Sequence, residues 1–155
     1  MKAGKVLDVL GITRPTLKRY RDSNKIKYTK LPNGQFFYDD DSVFNLKNKG
    51  ADRYTVLYIS ISNEDSKISE LKIKEYKEEL SKLGYKVNRV LYDNTYRGSG
   101  FDKLVDLVSR YKVKYVIVIN DLDSNPCTQV VSFIFKKFGA KLLMYDEIAG
   151  NDNGH

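Results

Sequence analysis

The chain has 155 residues, 41% of them hydrophobic and 30% charged, with a formal net charge of +7. That composition can bury the core of one domain or two small ones, and it holds neither an apolar run long enough to span a bilayer nor a secretory leader at its start. One cysteine, Cys127, excludes an internal disulfide, and the lone histidine, His155, leaves nothing from which to build a histidine-based triad or a Cys/His zinc site; a cytoplasmic protein with no membrane partner and no cofactor is the expectation.

From Ala3 to Leu10 apolar residues fall at Val6, Leu7, Val9 and Leu10, a helical pattern that Gly11 ends. Thr13 is a good N-cap, and Pro15 is tolerated in the first turn of the next helix, which runs through Thr16, Leu17, Lys18, Arg19, Tyr20 and Arg21. Two short helices about Gly11-Ile12-Thr13 make a helix-turn-helix, whose second helix enters the major groove in DNA-binding proteins. That helix offers Arg14, Thr16, Lys18, Arg19 and Arg21 to a nucleic acid and leaves Leu17 and Tyr20 to pack inward. The plainer alternative is a helical hairpin with a solvated basic face. Residues 25–31 read as a strand, Pro32-Asn33-Gly34 as a hairpin turn and residues 35–38 as the return strand. Asp39, Asp40, Asp41 and Ser42 are placed to cap a third helix carrying Val43, Phe44 and Leu46.

This order resembles the winged helix-turn-helix of the mercury-resistance-regulator (MerR) type. The pieces that carry the likeness are residues 6–13, Thr16-Leu17-Lys18-Arg19-Tyr20, Lys25-Ile26-Lys27, Asn33-Gly34-Gln35 and Tyr38. It implies a DNA-binding domain over residues 1–49, with Asn33 of the wing added to the contacts on the second helix. Family wings carry basic residues after the glycine, where this chain has Gln35, Phe36 and Phe37. Charge points the same way without any resemblance. Residues 1–50 hold eleven Lys and Arg against five Asp, a net +6, while residues 51–155 hold sixteen against fifteen acids, a net +1. A basic module joined to a nearly neutral one suits a polyanion, double-stranded DNA first.

After a polar boundary at residues 47–52, residues 54–62 read as a central strand, apolar on both faces until Ser60. Ser60 and Ser62 share one side of it at the carboxyl end, where α/β sheets tend to place their chemistry. They also serve as an ordinary strand end and helix cap, the plainer reading of this stretch alone. A helix over residues 69–83 is stopped by Gly84. A second strand spans residues 85–92, and a loop over residues 93–100 holds Arg97-Gly98-Ser99-Gly100. A helix spans residues 104–111, a third strand residues 114–120, a loop residues 121–127, a helix residues 129–138 and a fourth strand residues 141–145. Alternating strands and helices predict a mostly parallel four-stranded sheet. The polar tail from Gly150 is expected to be disordered.

With these elements placed, residues 53–149 resemble the catalytic domain of serine recombinases, the resolvase/invertase family. A MerR-like domain placed first is similar to the small serine transposases of insertion sequences. The motif Tyr58-Ile59-Ser60-Ile61-Ser62 matches the family's opening Tyr-Ala-Arg-Val-Ser, which puts Ser62 on the nucleophile and Ser60 on an arginine position. Ser99-Gly100 matches the motif after the second strand, with Arg97 and Lys103 as the nearest bases. Asp121 matches the aspartate after the third strand, but Leu122 and Asn125 stand where the family has arginines. The resemblance implies strand exchange through a phosphoserine intermediate, with a homodimer or tetramer on DNA.

The departures imply that catalysis is impaired. A serine attacking a phosphate builds negative charge on the phosphoryl oxygens. Guanidiniums match that charge in geometry and sign, and losing one preorganised donor costs about 10²–10³ in rate. The family also has a long dimer-forming helix after the last strand, and the given sequence ends a few residues after Glu147. Three readings follow: a serine transposase or recombinase, a non-catalytic DNA-binding regulator with a relic domain, and, ranked last, a small-molecule sensor.

Overall fold

A computed structural model describes residues 1–60, 70–93, 99–120 and 127–150, apart from the side chains of Asn120 and Cys127. The chain divides into two compact units, Met1–Arg53 and Tyr54–His155.

The first unit opens with α1 (Ala3–Leu10) and α2 (Arg14–Asp22). Gly11 takes the left-handed φ of 66° that closes α1, its N–H donating to the Leu7 carbonyl at 2.8 Å. Next come β1 (Tyr28–Lys30) and β2 (Phe36–Tyr38), antiparallel with Thr29 opposite Phe37, and then α3 (Asp40–Lys47). Asp39 caps α3 by accepting the Ser42 N–H at 3.0 Å. Both strands are shorter than expected. The Lys27 backbone is drawn to the start of α3, its N–H donating to Ser42 Oγ and its carbonyl accepting from Asp39, each at 2.9 Å, so it is lost to the ladder. Val6, Leu17, Ile26, Tyr38, Val43 and Phe44 form the buried interior. Tyr20, expected to pack inward, is only half-buried, with Lys25 over its ring. Met1 is buried too, its amine donating to the Tyr38 carbonyl and to Asp40 Oδ1, and Lys2 bridges antiparallel to Phe37. At the other end Arg53 is buried under Phe44 and donates to Asn45 Oδ1 and Asp41 Oδ1, both at 2.9 Å.

The second unit is α/β. In chain order it has β3 (Tyr54–Ser60), α4 (Glu70–Lys82), β4 (Arg89–Asp93), α5 (Ser99–Ser109), β5 (Val113–Asn120), α6 (Cys127–Lys137), β6 (Lys141–Met144) and α7 (Tyr145–Gly150). With the first unit this makes seven helices among the described residues. The sheet order is β4-β3-β5-β6 and every pairing is parallel. Strand order therefore reverses at β3, whose neighbours lead the chain away on opposite sides. Alternation along β3 sorts the core. Val56 joins Leu104, Val108 and Phe135 on the α5/α6 side, while Leu57 and Ile59 join Leu80 and Ile117 on the α4 side, where Tyr145 and Ile148 also pack.

Three expectations need correction. β4 begins at Arg89, not at residue 85, because Asn88 meets β3 with its side chain: Oδ1 accepts the Thr55 N–H at 2.6 Å. The segment 93–100 is not all loop, since Asp93 closes β4 and α5 starts at Ser99. Tyr145 opens the short helix α7 and does not end the last strand. Residues 151–155 of the expected disordered tail lie outside the described residues. No helix among the described residues is long and apolar enough to cross a membrane.

Leu57 is fully buried at the centre of the sheet. Leu57→Ala should cost about 2–5 kcal/mol in denaturant unfolding, whereas Leu71→Ala on the exposed face of α4 should stay within about 0.5 kcal/mol of the parent.

Candidate functional site

The carboxyl edge of the sheet is the first candidate. Ser60 pairs in register with Asp93 on one side and Asn120 on the other, so β3, β4 and β5 end level. Asp93 is buried, and its carboxylate accepts three hydrogen bonds: from the Tyr58 hydroxyl at 2.7 Å, and from the Gly100 and Phe101 N–H groups at 2.8 Å each. The two amides belong to the first turn of α5, whose orphan donors are thus satisfied from seven and eight residues upstream. The Tyr58 ring meets Phe101 edge-on at 6.0 Å. Gly100 is required by proximity: a Cβ there would lie 2.6 Å from the Tyr92 carbonyl oxygen and 2.9 Å from Asp93 Oδ1. Burial, and then the adjacent Asp93 carboxylate, push the Tyr58 phenol well above its ordinary range, with the Ser60 hydroxyl acting the other way.

The Gly100 and Phe101 amides serve Asp93. Lys103 stands exposed on α5. Ser60 is half-buried beside Tyr58. Ser62, Arg97 and Asp121 lie outside the described residues, although β3 and β5, which lead to Ser62 and Asp121, reach the same edge of the sheet. Asp93 and Tyr58 were not among the sequence candidates, because nothing local marks an aspartate that caps a helix across an intervening segment. Among the described residues no group of three His, Cys, Asp or Glu could hold a metal ion.

The second candidate lies in the first unit. A cleft between the start of α1, the outer face of α2 and the β1–β2 hairpin is lined by Lys2, Arg14, Lys18, Arg21, Leu31, Phe36 and Phe37, among others, with no carboxylate among its described lining residues. Arg14 and Lys18 are exposed and carry no ion pair among the described residues. Arg21 is half-buried, its guanidinium 3.9 Å above the Phe36 ring and its Nε 3.6 Å from Asp22. Thr16 and Arg19 stand apart from the cleft: Thr16 Oγ1 is 3.1 Å from Thr13 Oγ1 and accepts from Arg19 at 3.4 Å. Asn33 also lies apart, its Oδ1 accepting the Gln35 N–H at 3.0 Å and so holding the turn. Lys2, Leu31 and the two phenylalanines are among the lining residues that the sequence candidates omitted.

Comparison with protein-family models, with curated proteins and with solved structures finds no match for this chain.

The Tyr58 phenol gives a pH signature. Its folded pKa lies above the ordinary 10.0, so the stability it contributes is present below pH 10 and is lost as pH rises through the higher folded value. In an ultraviolet titration, the difference between the parent and Tyr58→Phe should contain one phenol ionising above pH 10, and Asp93→Asn should bring that ionisation down.

Proposed function

We propose that the chain binds double-stranded DNA through a winged helix-turn-helix in its first unit, and that its second unit is a serine-recombinase-type domain in which strand exchange is severely impaired. The observation that carries the binding reading is the cleft of four cations, Lys2, Arg14, Lys18 and Arg21, lined by no described carboxylate. A phosphate backbone is the ligand such a surface suits, since each phosphate neutralised releases counterions. The exposure of Arg14 and Lys18 on α2, in the cleft that the buried Leu17 also lines, supports that helix as the one that meets the groove.

The recombinase reading draws support from the parallel sheet whose order reverses at β3, with β3, β4 and β5 ending level at its carboxyl edge. The impairment follows from chemistry. Ser60, Leu122 and Asn125 stand where the resemblance calls for guanidiniums, and Lys103 sits on a helix where it is exposed to water. A solvated lysine lacks the preorganisation that makes a charged group effective against a transition state. A DNA-binding regulator with a relic α/β domain is the alternative.

Binding is tested with the full chain on a duplex over a range of salt. Affinity should fall steeply with salt, and Arg14→Ala and Lys18→Ala should each flatten the slope of log K against log salt by about 0.9. Unchanged affinity and slope in the double variant would remove α2 from the interface. Catalysis is tested by covalent capture on a nicked duplex followed by denaturing electrophoresis. No adduct is expected; a Ser62-dependent adduct forming as fast as that of an intact recombinase would overturn the impairment.

A further inference from the structure

The hairpin of the first unit lacks the cations expected after a wing glycine and presents apolar surface in their place. Phe37 is 45% exposed and Leu31 37% exposed, although the unit is small and has its own buried interior. The two adjacent phenylalanines are used differently. Phe36 is half-buried, with Arg21 over one face and Tyr28 edge-on at 5.5 Å, and it docks the hairpin against α2. Phe37 is held from both sides, opposite Thr29 in the ladder and bridged to Lys2. Its backbone is fixed while nearly half of the residue's surface stays exposed. Lys2 lines the same cleft as Phe37, Arg14 and Lys18, so an apolar ring and a cation from the far end of the unit's sequence are brought side by side.

We propose that Phe37, with Leu31 beside it, is a DNA contact that packs on deoxyribose along the groove wall while Lys2 neutralises the neighbouring phosphate. The proposal rests on the DNA-binding reading above and deepens it. The chemistry favours a duplex backbone as occupant: its walls alternate apolar sugar faces with phosphates, and the cleft combines apolar side chains with cations and has no described carboxylate, Asp39 and Asp40 lining a separate cleft on which Phe37 also borders. A protein partner rich in acidic groups would satisfy the cations but would leave Phe37 and Leu31 against polar surface. In this division of labour α2 supplies most of the salt-dependent binding and the hairpin a salt-independent part.

The test measures duplex affinity of the full chain across a salt series, with circular dichroism on each variant. Phe37→Ala should weaken binding roughly tenfold, as expected for exposing a large apolar side chain, at every salt concentration and with the slope unchanged. Phe37→Leu, which keeps apolar surface and the fold, should retain most of the affinity. Lys2→Ala should flatten the slope by about 0.9. If Arg14→Ala and Lys18→Ala weaken binding while Phe37→Ala and Lys2→Ala both bind like the parent, this inference fails and the DNA-binding reading stands. If none of the four variants changes affinity or slope, the DNA-binding reading itself fails.

Discussion

A carboxylate removed from water must be given donors, and Asp93 is given three. Those bonds fix the second unit where it matters. Asp93 closes β4, takes the Tyr58 hydroxyl from β3 next to it, and holds the Gly100 and Phe101 amides in the first turn of α5. The carboxylate also meets the positive end of the α5 dipole. Gly100 permits the approach, since any side chain there would overlap the Tyr92 carbonyl. Replacing Asp93 would leave the half-buried Tyr58 hydroxyl and two amides at the start of α5 without this partner at once, so the edge of the sheet would loosen as a whole.

The first unit solves a different problem. With only 53 residues it must order a two-stranded hairpin, which is marginal by itself. Lys2 bridges to β2 on one side, and the Arg21 guanidinium lies on Phe36 from α2. A cation over an aromatic face contributes about 0.5–1 kcal/mol where exposed, and more where desolvated. Arg21 is thereby committed to architecture, while Arg14 and Lys18 remain in water. The basic surface is therefore graded: some cations assemble the cleft and others are left to meet what enters it.

Local patterns in the sequence account for much of the fold. The glycine after α1, the aspartate before α3 and the β-branched run of β5 each act within a few residues, and each stands where its own chemistry puts it. The misplaced elements share a cause. The start of β4 depends on an Asn88 side chain reaching β3, and the start of α5 depends on Asp93 seven residues earlier. Both are tertiary hydrogen bonds that no periodicity signals. The candidate sites divide in the same way. Arg14 and Lys18 were legible because exposed cations on a short helix have few other uses, but Lys2 reaches the cleft only through its pairing with Phe37. Thr16, Arg19 and Asn33 have the right residue types, yet their polar atoms meet one another or the backbone of their own segments.

Under the proposed function the two units would place opposite demands on a phosphate. In the first, on that reading, a phosphate would meet solvated cations, which would be sufficient for binding because attraction to a polyanion is long-ranged and tolerant of geometry. In the second, a reacting phosphate would need donors held in place as charge develops on its oxygens. At the described part of the carboxyl edge the fixed donors are already engaged: the α5 amides and the Tyr58 hydroxyl are directed at Asp93. The buried charge there is negative, which repels a phosphate. Binding tolerates the substitution of serine for a guanidinium far better than transition-state stabilisation does, which is why the proposed function pairs DNA binding with impaired strand exchange.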